Sequence, residues 1–283
     1  MERRVDVAYV PAMATMNTAR SAPTIGTHLR DWRQRRRLSQ LDLACEANIS
    51  PRHLSFVETG RSMPSREMIL HLAEQLQIPM RERNVLLVAA GYAPIFAERS
   101  LDDPALAAMR GAIDLVVQGH KPYPAFALNR HWEVVSSNSA LPQLYEGVAP
   151  HLLERPVNVM RLSLHPQGLA PRIVNLTEWR AHLLHRLRQQ IDLTADPVLV
   201  DLLQEISAYP PGPRSANKHT IEPNHVIVPF RIETSGGTLS FFSTTMIFGT
   251  PVDITLAELA VESFFPADEA TVAAVQKMAA TNT

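Results

Sequence analysis

The histidines of this sequence are the first candidates for chemistry, because eleven of them in 283 residues could supply a metal site. His182 and His185 lie three residues apart on a predicted helix, yet no carboxylate or third histidine stands nearby in a pattern such as H-E-x-x-H. His131 follows a predicted hairpin turn and is interpreted as a turn or pocket-rim residue. We therefore predict no metal site.

Other catalytic signatures are missing as well. The sequence has no G-x-S-x-G elbow, no G-x-x-x-x-G-K-[ST] phosphate loop and no G-x-G-x-x-G fingerprint. Cys45, the single cysteine, cannot form an internal disulfide and is expected to pack in the core. These absences nominate no catalytic residue and no cofactor, so we do not expect an enzyme.

Arginines form the strongest charge feature. Residues 20–90 hold 11 arginines and no lysine against 7 acidic residues, and five of the eight residues from Arg30 to Arg37 are arginine. A cluster of planar, permanently charged donors is suited to bind a phosphate backbone. The alternative is a solvated helix face, and the arginines alone leave both interpretations open.

Five short helices are predicted to position these arginines. Ser39 with Asp42 has the capping-box spacing, Asn48 suits a tight turn, and Ser50 with Pro51 is typical of a helix start. The residues before this unit, 1–22, are expected to form a mobile tail. The predicted buried stripes are Ile25, Leu29 and Trp32; Leu41, Ala44 and Cys45; Leu54 and Val57; Ile69, Leu72, Ala73 and Leu76; and Val85, Leu86 and Ala89.

The stretch LSQLDLACEANISPRHLSFVETGRSMPS closely resembles the helix-turn-helix module of XRE-type regulators and lambdoid phage repressors. The resemblance implies an all-α, five-helix, lambda-repressor-like fold and a buried ion pair between Arg33 and Glu58. A departure is Asn48, where many members place glycine. The implied DNA-binding residues are Arg35, Arg37, Gln40, Ser50, Pro51, Arg52, His53, Ser55, Phe56, Arg61 and Ser62.

The second part of the chain has a mixed pattern. Helical periodicity follows Asp103, a hairpin is predicted around Asn129, and two helices follow before strands near Val226 and Leu239. Both faces of the strand from Leu239 to Phe248 are apolar, so we expect both to be covered. An antiparallel sheet of about five strands flanked by helices is an α+β, PAS-like arrangement.

Four segments together, RHLSFVETGR, PMRERNVLLVAAGYAP, YPAFALNRHWEVVSSN and FGTPVDITLAELAVESFFPADEAT, resemble bacterial XRE-type regulators that carry an MmyB-like ligand-binding domain. The resemblance implies a DNA-binding domain at 23–92, a linker at 93–100 and a ligand-binding domain at 101–283, with the protein acting as a dimer. It supplies no residue-level ligand motif.

The sheet is expected to enclose a cavity for an apolar or amphipathic, fatty-acid-like ligand. Trp132, Phe242, Met246 and Phe248 are its wall candidates, and Arg161 is the candidate anchor for a negative head group. The alternative, that each of these side chains belongs to the core, stays open.

Composition bounds the remaining possibilities. With 46% hydrophobic and 19% charged residues the chain is not wholly disordered, and no apolar run is long enough to span a bilayer, so we expect a cytoplasmic protein without a membrane partner. We predict a homodimeric transcription regulator that binds a double-stranded DNA operator, acts as a repressor or an activator, and responds to a small molecule. An enzyme or a protein-interaction scaffold with an appended DNA-binding module is the alternative.

Overall fold

The computed structural model describes residues 23–211, 227–249, 251 and 253–281. The predicted tail at 1–22 and the strand position Val226 lie outside these residues. Among the described residues, one hydrophobic core is formed by the first five helices and two others lie on the two faces of a sheet, so the chain divides into an amino-terminal and a carboxy-terminal domain.

The amino-terminal domain consists of five helices. Thr24, Ser39, Ser50 and Ser65 each accept a backbone N–H bond at a helix start, which explains why the first four helices begin where they do. Ser39 and Asp42 form the predicted capping box. The helices are α1 (Ile25–Arg35), α2 (Gln40–Glu46), α3 (Pro51–Glu58), α4 (Arg66–Gln75) and α5 (Met80–Ala89).

Two of the predicted buried stripes lie partly on the wrong face of their helix. In α2 the buried side chains are Leu43 and Ala44, whereas Leu41 is 60% exposed and Cys45 is exposed. In α5 the buried side chains are Leu86 and Leu87, and Val85 is exposed. A helix of seven to ten residues has two or three turns, so an apolar periodicity fits more than one face.

Asn48 takes the tight-turn conformation that the sequence predicts. It has a φ of 51°, the left-handed region that asparagine tolerates better than most residues. The backbone N–H of the next residue, Ile49, then donates to the carbonyl of Ala44 at 2.9 Å and closes the end of α2. The turn sets α3 across α2.

The carboxy-terminal domain alternates helices with a five-stranded sheet. Its elements are α6 (Ala107–Gly119), β1 (Ala125–Leu128), β2 (Val134–Ser137), α7 (Val159–Leu164), α8 (Leu176–Thr194), α9 (Pro197–Ala208), β3 (Phe230–Thr234), β4 (Gly237–Ile247), α10 (Ile254–Ala257), β5 (Ala260–Pro266) and α11 (Glu269–Thr281). The helix α7 was not anticipated from the sequence.

The sheet has the strand order β2-β1-β5-β4-β3, and every neighbouring pair is antiparallel. The last strand, β5, lies between β1 and β4, with Val261 opposite Ala127 on one side and Met246 on the other. Five antiparallel strands flanked by helices confirm the predicted α+β, PAS-like fold that follows the helical domain.

Helices cover the two faces of the sheet unequally. The face that carries Phe126, Phe241 and Phe264 packs with α8, α9 and α11 in the main core, whereas Ala127 and Val261 on the other face pack with α6. The prediction that both faces of β4 are covered is right only for its first half. At the far end Met246 is 41% exposed and Ile247 is 70% exposed.

The segment between the domains is tied to both of them. The Asn84 side chain on α5 accepts from the backbone N–H of Ile95 and donates to the carbonyl of Phe96 at 2.8 Å. The carbonyl of Ala97 then accepts from the N–H of Ile254 in α10.

An ion pair also joins the two domains. Across this junction Arg81 on α5 donates two hydrogen bonds of 2.9 Å to Glu258, which follows α10.

Candidate nucleic-acid interface

The helix α3 is capped at its start and anchored along one side. The Ser50 hydroxyl accepts from the N–H of His53 at 3.1 Å, and Pro51 occupies the first position of the helix, which its fixed φ suits. Leu54 and Val57 are fully buried against the other helices. The opposite side of α3 therefore faces outward.

A buried ion pair holds α3 against α1. Arg33 donates to both carboxylate oxygens of Glu58, at 2.7 and 2.9 Å, and both residues are less than 10% exposed. Burial alone would raise the pKa of Glu58. Hydrogen bonds from Arg33 and Gln40, together with the charges of Arg33 and Arg30, outweigh it and hold that pKa below its ordinary value.

Gln40 belongs to this internal network. Its Nε2 donates to Oε2 of Glu58 at 2.8 Å, so this side chain, which the resemblance assigns to DNA binding, already has a protein partner. A contact between Gln40 and DNA stays a prediction.

Two guanidinium groups flank the ring of Phe56. The guanidinium carbon of Arg52 lies 5.4 Å from the ring centroid and that of Arg61 lies 6.0 Å from it, and both arginines are exposed. The carbonyl of Phe56 accepts from the backbone N–H groups of Arg61 and Ser62, at 2.8 and 3.1 Å. The chain after α3 thus folds back and brings Arg61 beside this helix.

The arginines at the end of α1 differ in their surroundings. Arg33 faces inward, and Arg35 and Arg37 are exposed. The guanidinium of Arg36 lies over the ring of Trp32, 5.1 Å from its centroid, and bonds to the carboxy-terminal domain. The two exposed residues are those assigned to DNA from the sequence.

Arg36 makes hydrogen bonds to both domains. Its Nε donates to the carbonyl of Leu76 at 2.8 Å, and its Nη2 reaches the carbonyl of Gln77. The same guanidinium donates to the carbonyls of Asp192 and Leu193 near the end of α8, at 2.8 and 3.1 Å. Sequence reasoning missed this role, because the carbonyls are brought together only by the fold.

The remaining predicted contacts gather on the same surface. Ser50, Pro51 and Arg52 are exposed at the start of α3, His53 and Ser55 are half-buried on its sides, and Ser62 is half-buried in the loop beyond it. Their contacts with DNA stay predictions.

The candidate ligand residues, in contrast, are not brought into one cavity. Trp132 is buried, and its Nε1 donates to Gln190 at 2.6 Å. Phe242 stacks on Phe265 at 5.4 Å, and Phe248 packs with the cluster under α6, so both lie on the face of the sheet opposite the core that contains Trp132. The remaining two are Met246, which is 41% exposed, and Arg161, which is paired with Glu205 at 2.7 Å.

Sequence reasoning missed a buried carboxylate in the middle of the sheet. Glu262 on β5 is 3% exposed and accepts from both terminal nitrogens of Arg186, at 3.0 and 3.1 Å. The hydroxyls of Ser243 and Thr245 on β4 donate to the same carboxylate, at 2.7 and 2.9 Å. The sequence signal is a lone acidic residue within a mostly apolar strand. Arg186 also lies over the Trp132 ring, 4.9 Å from its centroid.

A cavity of about 850 Å³ lies at the junction of the domains. Its walls come from the start of α1, the loop that contains Gly60 and Met63, the residues Val85 and Val88 of α5, and Ile254 of α10. A small cleft beside Phe241 in the carboxy-terminal domain measures about 10 Å³. The larger space therefore touches both domains.

The histidines do not assemble a metal site within the described ranges, which contain no group of three or more His, Cys, Asp or Glu side chains able to hold an ion. His182 stacks on Trp179 at 5.4 Å, and burial and the charge of Arg186 lower its pKa. Within the same ranges no helix combines the length and the apolar character needed to cross a bilayer.

No curated protein matches the chain. A solved structure of an RNA-binding light-oxygen-voltage receptor aligns with 90% of this chain at 12% identity and a TM-score of 0.25, and this chain covers 64% of that one. A similarity that weak carries no argument about fold or function.

Two family models match. The helix-turn-helix model covers residues 29–83, which include α2, α3 and the turn between them. The model described as MmyB-like transcription regulator ligand binding domain covers residues 109–278. The second match spans more than half of the 283 residues. The chain therefore belongs to the MmyB-like transcription regulators, DNA-binding proteins in which a helix-turn-helix domain precedes a ligand-binding domain.

Proposed function

We propose that this protein is a homodimeric regulator that reads a specific double-stranded DNA operator and changes its operator binding when its carboxy-terminal domain binds a small apolar or amphipathic molecule of the fatty-acid type. The observation that carries the proposal is the outward surface of α3, where Arg52, Phe56 and Arg61 lie together on a helix anchored by the buried Arg33–Glu58 pair.

The arginines on this surface have two roles. Arg52 stands in the first turn of α3 and is the candidate for a base edge, because a guanidinium can bond in bidentate fashion to guanine in the major groove. Arg61 lies beyond the helix and is the candidate for a phosphate, as are Arg35 and Arg37 at the end of α1. Phosphate contacts fix position, and base contacts give specificity.

The proposed dimer is supported by the small surface that one copy of α3 offers to DNA. One recognition helix of eight residues reaches only a short stretch of one major groove. Two copies that bind half-sites about one helical turn apart, roughly 34 Å, read a longer sequence and gain affinity because the second contact becomes intramolecular.

The junction between the domains offers a path for the ligand signal. A ligand changes DNA binding only if it binds one arrangement of the domains better than another. Arg36 and Arg81 connect the helical domain to α8 and to Glu258, and the junction cavity touches both domains. A ligand that shifts α8 or α10 therefore acts on the helices that position α3.

The test begins with selection of duplexes from a random-sequence pool by the full chain. Binding to the selected operator is then titrated across salt concentrations for the wild type, Arg52→Ala, Arg61→Ala and a matched control, Arg188→Ala, an exposed arginine on α8. We expect Arg52→Ala to cost about 1–3 kcal/mol and to relax the selected sequence. Arg61→Ala should weaken every sequence alike and flatten the salt dependence.

Two outcomes contradict the proposal. One is a pool that yields no enriched sequence. The other is equal behaviour of the Arg52 and Arg188 variants on the selected duplex. For the ligand, the same titration is repeated with saturated fatty acids of 8 to 18 carbons, and an operator affinity unchanged by all of them contradicts that part of the proposal.

A further inference from the structure

Phe56 occupies an unusual position for an aromatic residue. The core of the amino-terminal domain, within the described residues, includes its helix neighbours Leu54 and Val57 but not Phe56. The ring is half-buried, and part of its cover is the pair of exposed guanidinium groups of Arg52 and Arg61. A ring in this place is not explained by packing of the domain.

The two arginines and the ring restrain one another. A guanidinium over an aromatic face is attracted by about 0.5–1 kcal/mol at an exposed site. The Phe56 carbonyl also holds the backbone of Arg61 and Ser62, so Arg61 is fixed beside the ring by its main chain. Arg52 is therefore oriented before DNA arrives, which reduces the rotamer freedom that it loses on binding.

Apolar side chains in the major groove contact the methyl group of thymine, which is the apolar group that base edges present there. We propose that Phe56 reads this methyl group and that Arg52, oriented by the ring, reads a guanine one or two base pairs away. This inference rests on the proposed function and names the sequence feature that the protein recognises: thymine and guanine close together in each half-site.

The spacing follows from helix geometry. Arg52 and Phe56 are four residues apart, so they lie on one face of α3 and are displaced by about 6 Å along its axis. Stacked bases are separated by about 3.4 Å. Two side chains with this displacement in a groove reach bases that are one or two steps apart.

The experiment uses the full chain and the operator recovered by selection. Each thymine is replaced in turn by uracil, which removes only the 5-methyl group. Loss of contact with one buried methyl-sized group is about 0.8 kcal/mol, so we expect one thymine in each half-site at which uracil weakens binding about fourfold. The other thymines serve as internal controls and should change binding little.

Variants at position 56 test the assignment. Phe56→Ala should bind the thymine and uracil operators equally. Phe56→Leu keeps an apolar side chain and loses the stack, so we expect it to keep most of the thymine preference. Its preference for guanine over 7-deazaguanine at the neighbouring position should fall about two- to fivefold, the factor that corresponds to the lost cation–π attraction. Circular dichroism melts check that both variants fold.

Several results would overturn the inference. The first is a wild-type protein that is indifferent to uracil at every position. The second is a thymine preference that survives in Phe56→Ala, and the third is a guanine preference unchanged in Phe56→Leu. Any of these, with specific operator binding intact, rejects the role of Phe56 and leaves the proposed function standing. Failure to select any operator rejects the proposed function itself.

Discussion

Each domain contains an ion pair between an arginine and a buried glutamate, and the two pairs differ in how far apart their residues lie in the sequence. Arg33 and Glu58 are 25 residues apart and join two neighbouring helices. Arg186 and Glu262 are 76 residues apart and join α8 to the central strand of the sheet. The first pair stabilises a module made of local contacts, whereas the second fastens together parts of the chain that are distant in sequence.

The pairs differ in their access to water as well. The side chains of Arg33 and Glu58 are 10% and 0% exposed, whereas that of Arg186 is 22% exposed and that of Glu262 is 4% exposed. A charge left without its partner is more costly where water cannot reach it. The comparison therefore predicts unequal effects when the glutamate of each pair is removed.

Removal of the Glu58 carboxylate should have the largest effect. Glu58→Ala leaves Arg33 buried without its partner, and we expect the free energy of unfolding of the amino-terminal domain to fall by about 3–5 kcal/mol. Calorimetry and hydrogen exchange of the α1 and α3 amides measure the loss. The control is Glu74→Ala, an exposed site on α4 where a change within about 0.5 kcal/mol is expected. An unchanged melting curve for Glu58→Ala contradicts the prediction.

Removal of the Glu262 carboxylate should cost less. Glu262→Ala leaves Arg186 able to reach solvent and two hydroxyls on β4 without their acceptor, so we expect a loss of about 1–3 kcal/mol in the carboxy-terminal domain. Chemical unfolding gives the value, with Asp201→Ala on the exposed side of α9 as the control. A loss larger than that of Glu58→Ala would show that solvent access does not set the order.

Protonation of Glu58 at low pH should destabilise the amino-terminal domain, as Glu58→Ala does, but by a smaller amount. The pKa of Glu58 is lowered in the folded protein, so the pair contributes its full stability above the ordinary value of 4.5 and loses it as the pH falls through the folded pKa. Protonated Glu58 keeps its shape and some hydrogen bonds, so the loss is smaller than in Glu58→Ala.

Hydrogen exchange of the α1 amides between pH 6 and pH 3.5 measures this loss. The comparison is between the wild type and Glu58→Gln, which has no carboxylate to protonate at this site. A wild-type protein that loses no more stability than Glu58→Gln over this range contradicts the assignment.

Sequence patterns predicted the amino-terminal domain nearly element by element. Ser39, Ser50 and Pro51 mark helix starts through local chemistry, and Asn48 marks the turn, so each element can be read from a few neighbouring residues. The sequence pattern did not predict which face of a short helix is buried. The exposed side chains of Leu41 and Cys45 occupy a face that is as apolar in sequence as the buried one.

The sheet shows where sequence reasoning stops. Strands near Phe126, Leu239 and Val261 were expected, but no local pattern places β5 between β1 and β4. The faces of the strands depend on that order, which is why Trp132 and Phe242 were assigned to one cavity and lie on opposite sides of the sheet. The common surface of Arg52 and Arg61 follows from local sequence, because a single helix and the loop after it carry both. Their contacts with DNA stay predictions.

The bonds of Arg36 have a mechanical consequence. The helix α8 has 19 residues and is about 28 Å long, and Arg36 holds the carbonyls near its end. A tilt of only about 5° about the opposite end displaces these carbonyls by roughly 2.5 Å, beyond the reach of a hydrogen bond. A small rotation of α8 inside the carboxy-terminal domain therefore either moves α1 with it or breaks the hydrogen bonds that Arg36 makes to α8.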